Sequence, residues 1–160
     1  MSLQSCRVIH DILSFHRNHR GDAEAAVQGD ERISFATLAA QVDHRARALL
    51  SHGVRRGDRV ATLAPPSLEF FIDYLSVTSI GAIWQGLNPR YQLPEYEYLL
   101  KDAEPRLVFV HSPYEDRDYA SELSALDLDC RWIVRGETPA GATSDQEFLA
   151  AGAIIDDAKL

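Results

Sequence analysis

Gly57-Asp58-Arg59-Val60-Ala61-Thr62-Leu63-Ala64-Pro65-Pro66-Ser67 is the stretch that decides the fold. Arg56-Gly57-Asp58 reads as a turn feeding a short apolar strand, Val60 to Leu63. That run is continuous rather than alternating, the pattern of a strand buried on both faces. Pro65-Pro66 stops it. Ser67 caps the helix that follows, with Glu69 in its first turn and Leu68, Phe71, Ile72 and Leu75 as its apolar face.

The same order repeats outward. Gly81 ends the helix, and Ile83 to Leu87 is the next strand. Pro94 at the first helical position opens a third helix, with Tyr96, Leu99, Leu100 and Ala103 inward and Pro105 closing it. Leu107 to Val110 is a strand, Ser112-Pro113 starts a helix carrying Tyr119, Leu123 and Leu126, and Arg131 to Val134 is a strand. Strands alternating with amphipathic helices predict an α/β fold: a mostly parallel sheet with helices on both faces, containing Val60–Leu63, Ile83–Leu87 and Leu107–Val110.

On the amino-terminal side, Cys6, Ile9 and Leu13, flanked by Val8 and Ile12, predict a short helix. Ala25–Gln28, Gly29–Glu31 and Arg32–Ser34 predict a β-hairpin. Ser34 then caps a long helix whose stripe is Phe35, Leu38, Ala39, Val42, Ala46, Leu49 and Leu50, ending at Gly53. Beyond Arg135 the pattern loosens. Gly136 to Thr143 reads as a loop, Ser144 with Glu147 as a capping box, and the helix so opened reaches Ala151 with no strand after it. The organisation expected is one α/β domain over 1–160: an N-terminal helix in 1–21, an α/β core in 24–135, and a loop with a short helix in 136–160.

The 160 residues are 46% hydrophobic and 25% charged, an ordinary globular balance that excludes disordered and collagen-like chains. A net charge of −8 disfavours non-specific nucleic-acid binding. No apolar run reaches the roughly 18–20 residues of a membrane span, and no signal-peptide core is present. Cys6 and Cys130 form no close-spaced pair, so a reduced, cytoplasmic protein is expected.

Catalytic candidates are few. There is no Gly-x-Gly-x-x-Gly. Gly81 to Gly86 is followed by Leu87-Asn88 where a phosphate loop needs Lys-Ser/Thr. Gly136 to Gly141 puts Ala142 in the lysine position, and Pro139 removes an amide donor. No serine stands in Gly-x-Ser-x-Gly. His16 and His19 lack a third metal ligand at the usual spacing. Glu95 and Glu97, two apart, cannot share a helix face. Arg20-Gly21-Asp22 reads as a turn. Fourteen arginines accompany only Lys101 and Lys159, so schemes needing an interior lysine have almost no candidate. Residue chemistry therefore assigns no catalytic and no metal-binding residue.

Three stretches in register resemble a family. Ile33-Ser34-Phe35-Ala36-Thr37-Leu38 resembles the opening L-T/S-Y-x-E-L motif of adenylate-forming enzymes. Gly53-Val54-Arg55-Arg56-Gly57-Asp58-Arg59-Val60-Ala61 is similar to their G-V-x-x-G-D-R-V-A. Thr78 to Tyr91, containing Gly81-Ala82 and Leu87-Asn88-Pro89-Arg90-Tyr91, is similar to their G-A-x-x-x-x-L-N-P-R-Y. The resemblance is to the AMP-dependent synthetase and ligase superfamily, on the acyl-CoA synthetase side, and covers about residues 5–155. It implies the N-terminal portion of such an enzyme and a role in fatty-acid metabolism. The implied chemistry is acid plus ATP to an acyl-adenylate, then attack by a thiol. ATP, Mg²⁺ and CoA are implied for the full-length enzyme and none for this chain.

The Ser/Thr/Gly-rich loop, ribose-holding acid and C-terminal lysine of the family are not in this sequence. The expectation is a chain cut just before the ATP loop, inert alone, whose partner is the remainder of the enzyme. Its exposed apolar surface is expected to drive self-association. The resemblance also makes Arg117 a candidate contact for the CoA phosphates, although Glu115, Asp116 and Asp118 surround it. The alternative is a stand-alone, non-catalytic binding or assembly module. For Ser34→Ala, loss of the cap is expected to cost roughly 0.5–2 kcal/mol. An unchanged midpoint in chemical denaturation would contradict the cap.

Overall fold

The computed structural model describes residues 3–152. A 3-10 turn, Leu3–Ser5, precedes α1 (Ile9–Arg20), β1 (Glu24–Gln28), β2 (Glu31–Ser34), α2 (Phe35–Ser51), β3 (Arg59–Leu63) and α3 (Leu68–Ser79). There follow β4 (Ile83–Leu87), α4 (Leu93–Ala103), β5 (Leu107–Ser112), α5 (Tyr119–Ser124), β6 (Arg131–Gly136), β7 (Thr143–Ser144) and α6 (Asp145–Gly152). β1 and β2 form an antiparallel hairpin. The other strands make one parallel sheet in the order β4-β3-β5-β6-β7, with Val60 opposite both Trp84 and Leu107.

The pleat sorts side chains between two cores. Val60, Leu107, Phe109 and Ile133 pack with Leu49, Val77 and Phe148 beneath α2, α3 and α6. Ala61, Leu63, Val108 and Val110 face the other way, onto Tyr96, Leu100 and Leu123 of α4 and α5. A third cluster joins α1 and the hairpin to α2 and α3 through Leu13, Ile33, Leu38 and Ile72.

The helix ends follow the sequence signals. Ser34 Oγ accepts from the Thr37 amide at 3.2 Å and Ser67 Oγ from the Phe70 amide at 3.1 Å. α2 and α3 both end in a Schellman motif. Gly53 and Gly81 take φ of +85° and +73°, and the next residue's amide reaches back to Leu49 O and Val77 O. The Ser144–Glu147 capping box forms reciprocally, at 3.0 and 3.3 Å.

Four expectations are corrected. The helix expected from Ser112-Pro113 begins at Tyr119, because β5 stays paired with β6 as far as Ser112. Tyr114 and Arg117 then close a reciprocal backbone bridge, and Asp118 caps α5. The loop expected over 136–143 ends in a fifth parallel strand, Thr143–Ser144 against β6. Cys6 lies before α1, and of that helix's expected inward residues only Leu13 is buried. Phe71, expected on the inner face of α3, is exposed. Residues 153–160, including Lys159, lie outside the described residues.

A four-charge network lies under the sheet. Asp73 of α3 has 0% exposure. Arg135 of β6 donates to both its carboxylate oxygens, at 2.8 and 2.6 Å, and Arg45 of α2 lies at 3.4 Å. Arg45 in turn donates twice to Asp145 of α6, at 2.7 and 3.1 Å, with Arg135 Nε 3.4 Å from the same carboxylate. Both guanidinium groups lie over the Phe109 ring, at 5.4 and 5.1 Å. Two positive and two negative charges cancel locally, so no buried charge is left alone.

Burial would push the Asp145 carboxyl up, but hydrogen bonds from Arg45 and the charges of Arg135 and Arg45 hold it below the usual carboxylate range. A depressed folded-state pKa adds stability that is complete above the unfolded value, about 4, and is lost as pH falls through the folded one. Asp145→Asn is therefore expected to destabilise the chain at pH 7. The loss should lie near the lower end of roughly 3–5 kcal/mol, since Asp145 keeps 20% exposure. The difference from wild type should shrink below about pH 4. Urea unfolding at pH 7 and pH 3 checks this, and equal losses at both would contradict it.

Candidate functional site

The sheet order sets where a ligand can enter. From β3 the chain crosses through α3 to β4 on one side, then through α4 to β5 on the other. Connections diverging from neighbouring strands open a crevice at the strands' carboxyl ends. A cleft of about 300 Å³ lies at this point, lined by Pro65 and Pro66 after β3, Asn88 and Arg90 after β4, and Tyr114 and Glu115 after β5. Larger hollows lie elsewhere: two, of about 530 and 520 Å³, open at the strands' amino ends on either side of Arg106, and one of about 370 Å³ runs along the start of α4 beside Tyr91 and Tyr98.

The chemistry of the cleft follows from its residue types. Pro65, Pro66 and Pro113 have no N–H, so the strand ends cannot form an amide cradle for a phosphate. The cation there is Arg90, which is exposed and has no carboxylate partner among the described residues. The acid is Glu115, with φ of +52°. Glu115 is also what chiefly raises the Tyr114 phenol, by its charge and then, after burial, by a hydrogen bond.

The turn carrying Arg90 is held from below. Asn88 Oδ1 accepts from the Arg90 amide at 2.9 Å, and Asn88 O from the Tyr91 amide at 3.1 Å. The Tyr96 hydroxyl of α4 donates to Asn88 O at 2.9 Å, and the Tyr119 hydroxyl of α5 to Pro89 O at 2.7 Å. Arg117 Nη1 donates to Pro89 O at 3.1 Å and Tyr91 O at 2.8 Å. Its Nε and Nη2 form a two-pronged pair with Glu122, and its guanidinium lies 4.5 Å over the Tyr119 ring. The Glu122 hydrogen bonds hold the Arg117 pKa above its ordinary value and lower that of Glu122. Burial, then the neighbouring Tyr119, pushes Tyr96 up to about 12.

The other sequence candidates separate. His16 accepts from Arg20, and His19 Nδ1 lies 2.8 Å from Phe15 O, so the two do not converge. Among the described residues no group of three His, Cys, Asp or Glu could hold a metal ion. Glu95 caps α4 through the Gln92 amide, and Glu97 pairs with Lys101 at 2.6 Å. Neither cysteine forms a disulfide, and burial, then Asp129, pushes the Cys130 thiol up to about 12. No described helix is long and apolar enough to cross a membrane. Sequence reasoning missed Arg90, the tyrosine hydroxyls and Glu122. In the sequence Tyr96 and Tyr119 read only as apolar helix faces, and the five-residue step from Arg117 to Glu122 matches no helical pair.

The fold and the three motifs define an adenylate-forming ligase scaffold. The chain belongs to the AMP-binding enzyme family, whose model matches residues 14–152. It is 33% identical over 105 residues to the 3-hydroxybenzoate–CoA ligase of Aromatoleum sp. (strain CIB), covering 64% of this chain and 20% of that protein. It is 34% identical over 107 residues to the mitochondrial medium-chain acyl-CoA ligase of Bos taurus, covering 66% and 17%. Among solved structures it is similar to an anthranilate CoA ligase in complex with anthranoyl-AMP, with a TM-score of 0.80 and 25% identity over 94% of this chain and 30% of that one. A benzoate CoA ligase from Burkholderia xenovorans LB400 shares the fold, with a TM-score of 0.76 and 17% identity over 91% and 29%. The matches thus span a fifth or less of these curated relatives, and the fold corresponds to the N-terminal portion of adenylate-forming enzymes.

Proposed function

We propose that this chain is the N-terminal α/β portion of an AMP-forming acid–CoA ligase. In that reading a carboxylate attacks the α-phosphorus of ATP, pyrophosphate leaves, and the CoA thiol displaces AMP from the acyl-adenylate. The family match over residues 14–152, with CoA ligases among the relatives, carries the reading. Reduced cysteines agree with a cytoplasmic setting. The chain's own part is scaffold: it lacks a glycine-rich amide cradle, and Lys101 is tied to Glu97 on the surface of α4. ATP and Mg²⁺ would be held by the rest of the enzyme.

CoA meets this portion at the cleft. Arg90, exposed beside Tyr114 and without a carboxylate partner among the described residues, has the chemistry to receive an anionic phosphate. Arg117, the earlier candidate, is less suited. Four of its five N–H groups are already taken, Nε and one of Nη2 by Glu122 and both of Nη1 by two carbonyls, so a two-pronged phosphate contact would have to displace Glu122.

ATP–pyrophosphate exchange over a panel of carboxylic acids tests this reading. The 160-residue chain alone should give no exchange above a protein-free control. The protein that carries it together with the rest of the family's length should give exchange with at least one acid and release AMP once CoA is added. Exchange by the chain alone, proportional to its concentration, would overturn the scaffold assignment. Release of ADP instead of AMP by the longer protein would overturn the ligase assignment.

A further inference from the structure

We propose that Arg117, Tyr96 and Tyr119 are positioning residues that lock the 88–91 turn in one shape and so present Arg90 to an anionic, nucleotide-bearing ligand in the cleft. This rests on the reading that CoA docks there, and it extends that reading to Arg117 and Tyr96, which lie outside the cleft lining, and to the hydroxyl of Tyr119, whose ring also lines it.

Asn88, Pro89 and Tyr91 each direct a carbonyl oxygen at a side-chain donor: a tyrosine hydroxyl, a hydroxyl with Arg117 Nη1, and the same Nη1. An anion at Arg90 would be repelled by any of these oxygens turned toward it. Donors from α4, α5 and the segment between β5 and α5 keep them turned away. The turn carries no apolar anchor of its own beyond partly buried Tyr91, so its shape depends on these bonds.

Arg117 is built to hold still. Two prongs on Glu122 fix the plane of its guanidinium, and Tyr119 covers one face. A rigid fork loses little freedom per bond formed. Its charge is cancelled by Glu122, so among the residues lining the cleft the cation left to meet an anion is Arg90, with Glu115 the acid beside it. A residue held in place before the ligand arrives gains affinity because less ordering remains to be done on binding.

The test follows amide hydrogen exchange at Arg90 and Tyr91, whose N–H groups bond within the turn, together with coenzyme A affinity for the same ¹⁵N-labelled chain. Arg117→Gln should speed exchange at both amides and weaken coenzyme A binding, each by about tenfold. Amides of β3 and β5 should keep wild-type protection, which separates positioning from general loss of stability. Tyr96→Phe removes only the hydroxyl that donates to Asn88 O and keeps the buried ring, which does not line the cleft. It should shift both readouts the same way by a smaller factor, and it serves if Arg117→Gln does not fold. Unchanged exchange at Arg90 and Tyr91 in Arg117→Gln, or faster exchange with undiminished affinity, would overturn the proposal. Arg90→Gln separates the two readings. If it binds coenzyme A as well as the wild type does, docking at the cleft is wrong, while the exchange data still decide whether the turn is locked.

Discussion

Asp73 sits on α3 with no exposed surface, between Ile72 and the helix's inner leucines, directly under the sheet. A carboxylate in that place costs several kcal/mol unless opposite charge meets it. The opposite charge comes from α2 and β6, and the excess positive charge is returned by Asp145 at the start of α6. Four elements therefore have to converge on one point for any of them to be buried there. Thr62 of β3 lies 3.5 Å from Asp73 and accepts from the Trp84 indole of β4, which carries the constraint across the sheet to its edge.

The network also explains why the far edge of the sheet is ordered at all. A two-residue strand has little pairing of its own. Thr143–Ser144 is placed because the Ser144–Glu147 box opens α6 there and Asp145 is tied to Arg45. The opposite face is organised differently. There an apolar core carries α4 and α5, and their polar tips gather at the carboxyl end of the sheet to hold one turn. One face thus fixes the scaffold, and the other holds the turn at the cleft.

Most of the fold could be read in the chain, because the signals are local. Continuous apolar runs at 60–63 and 107–110 gave parallel strands, Ser34 and Ser67 gave caps, and Gly53 and Gly81 gave helix ends. What stayed hidden depends on distance in sequence. Arg45 and Asp145 are 100 residues apart and Asp73 and Arg135 are 62 apart, and no spacing rule joins them. Only Asp73 left a local trace, as an acid next to Ile72 on the apolar face of a helix. Arg117 was marked in the sequence only through the resemblance, as a candidate contact for the CoA phosphates. Its hydrogen bonds were not legible, because the carbonyls it binds belong to a turn 26 and 28 residues earlier. The misplaced start of α5 has the same origin: proline after serine is a helix signal, but pairing of Ser112 with Gly136 overrides it.

Charge balance around Asp73, rather than any single ion pair, is what holds these elements together. A double-mutant cycle of Asp73→Asn and Arg135→Gln, followed by urea unfolding at pH 7, tests it most directly. Removing Asp73 alone leaves two arginines against Asp145, whereas removing Arg135 as well restores one against one. The account predicts that the double variant is more stable than Asp73→Asn alone, with a coupling energy of about 1–3 kcal/mol. Simple additivity, with the double variant losing the sum of the two single losses, would contradict it.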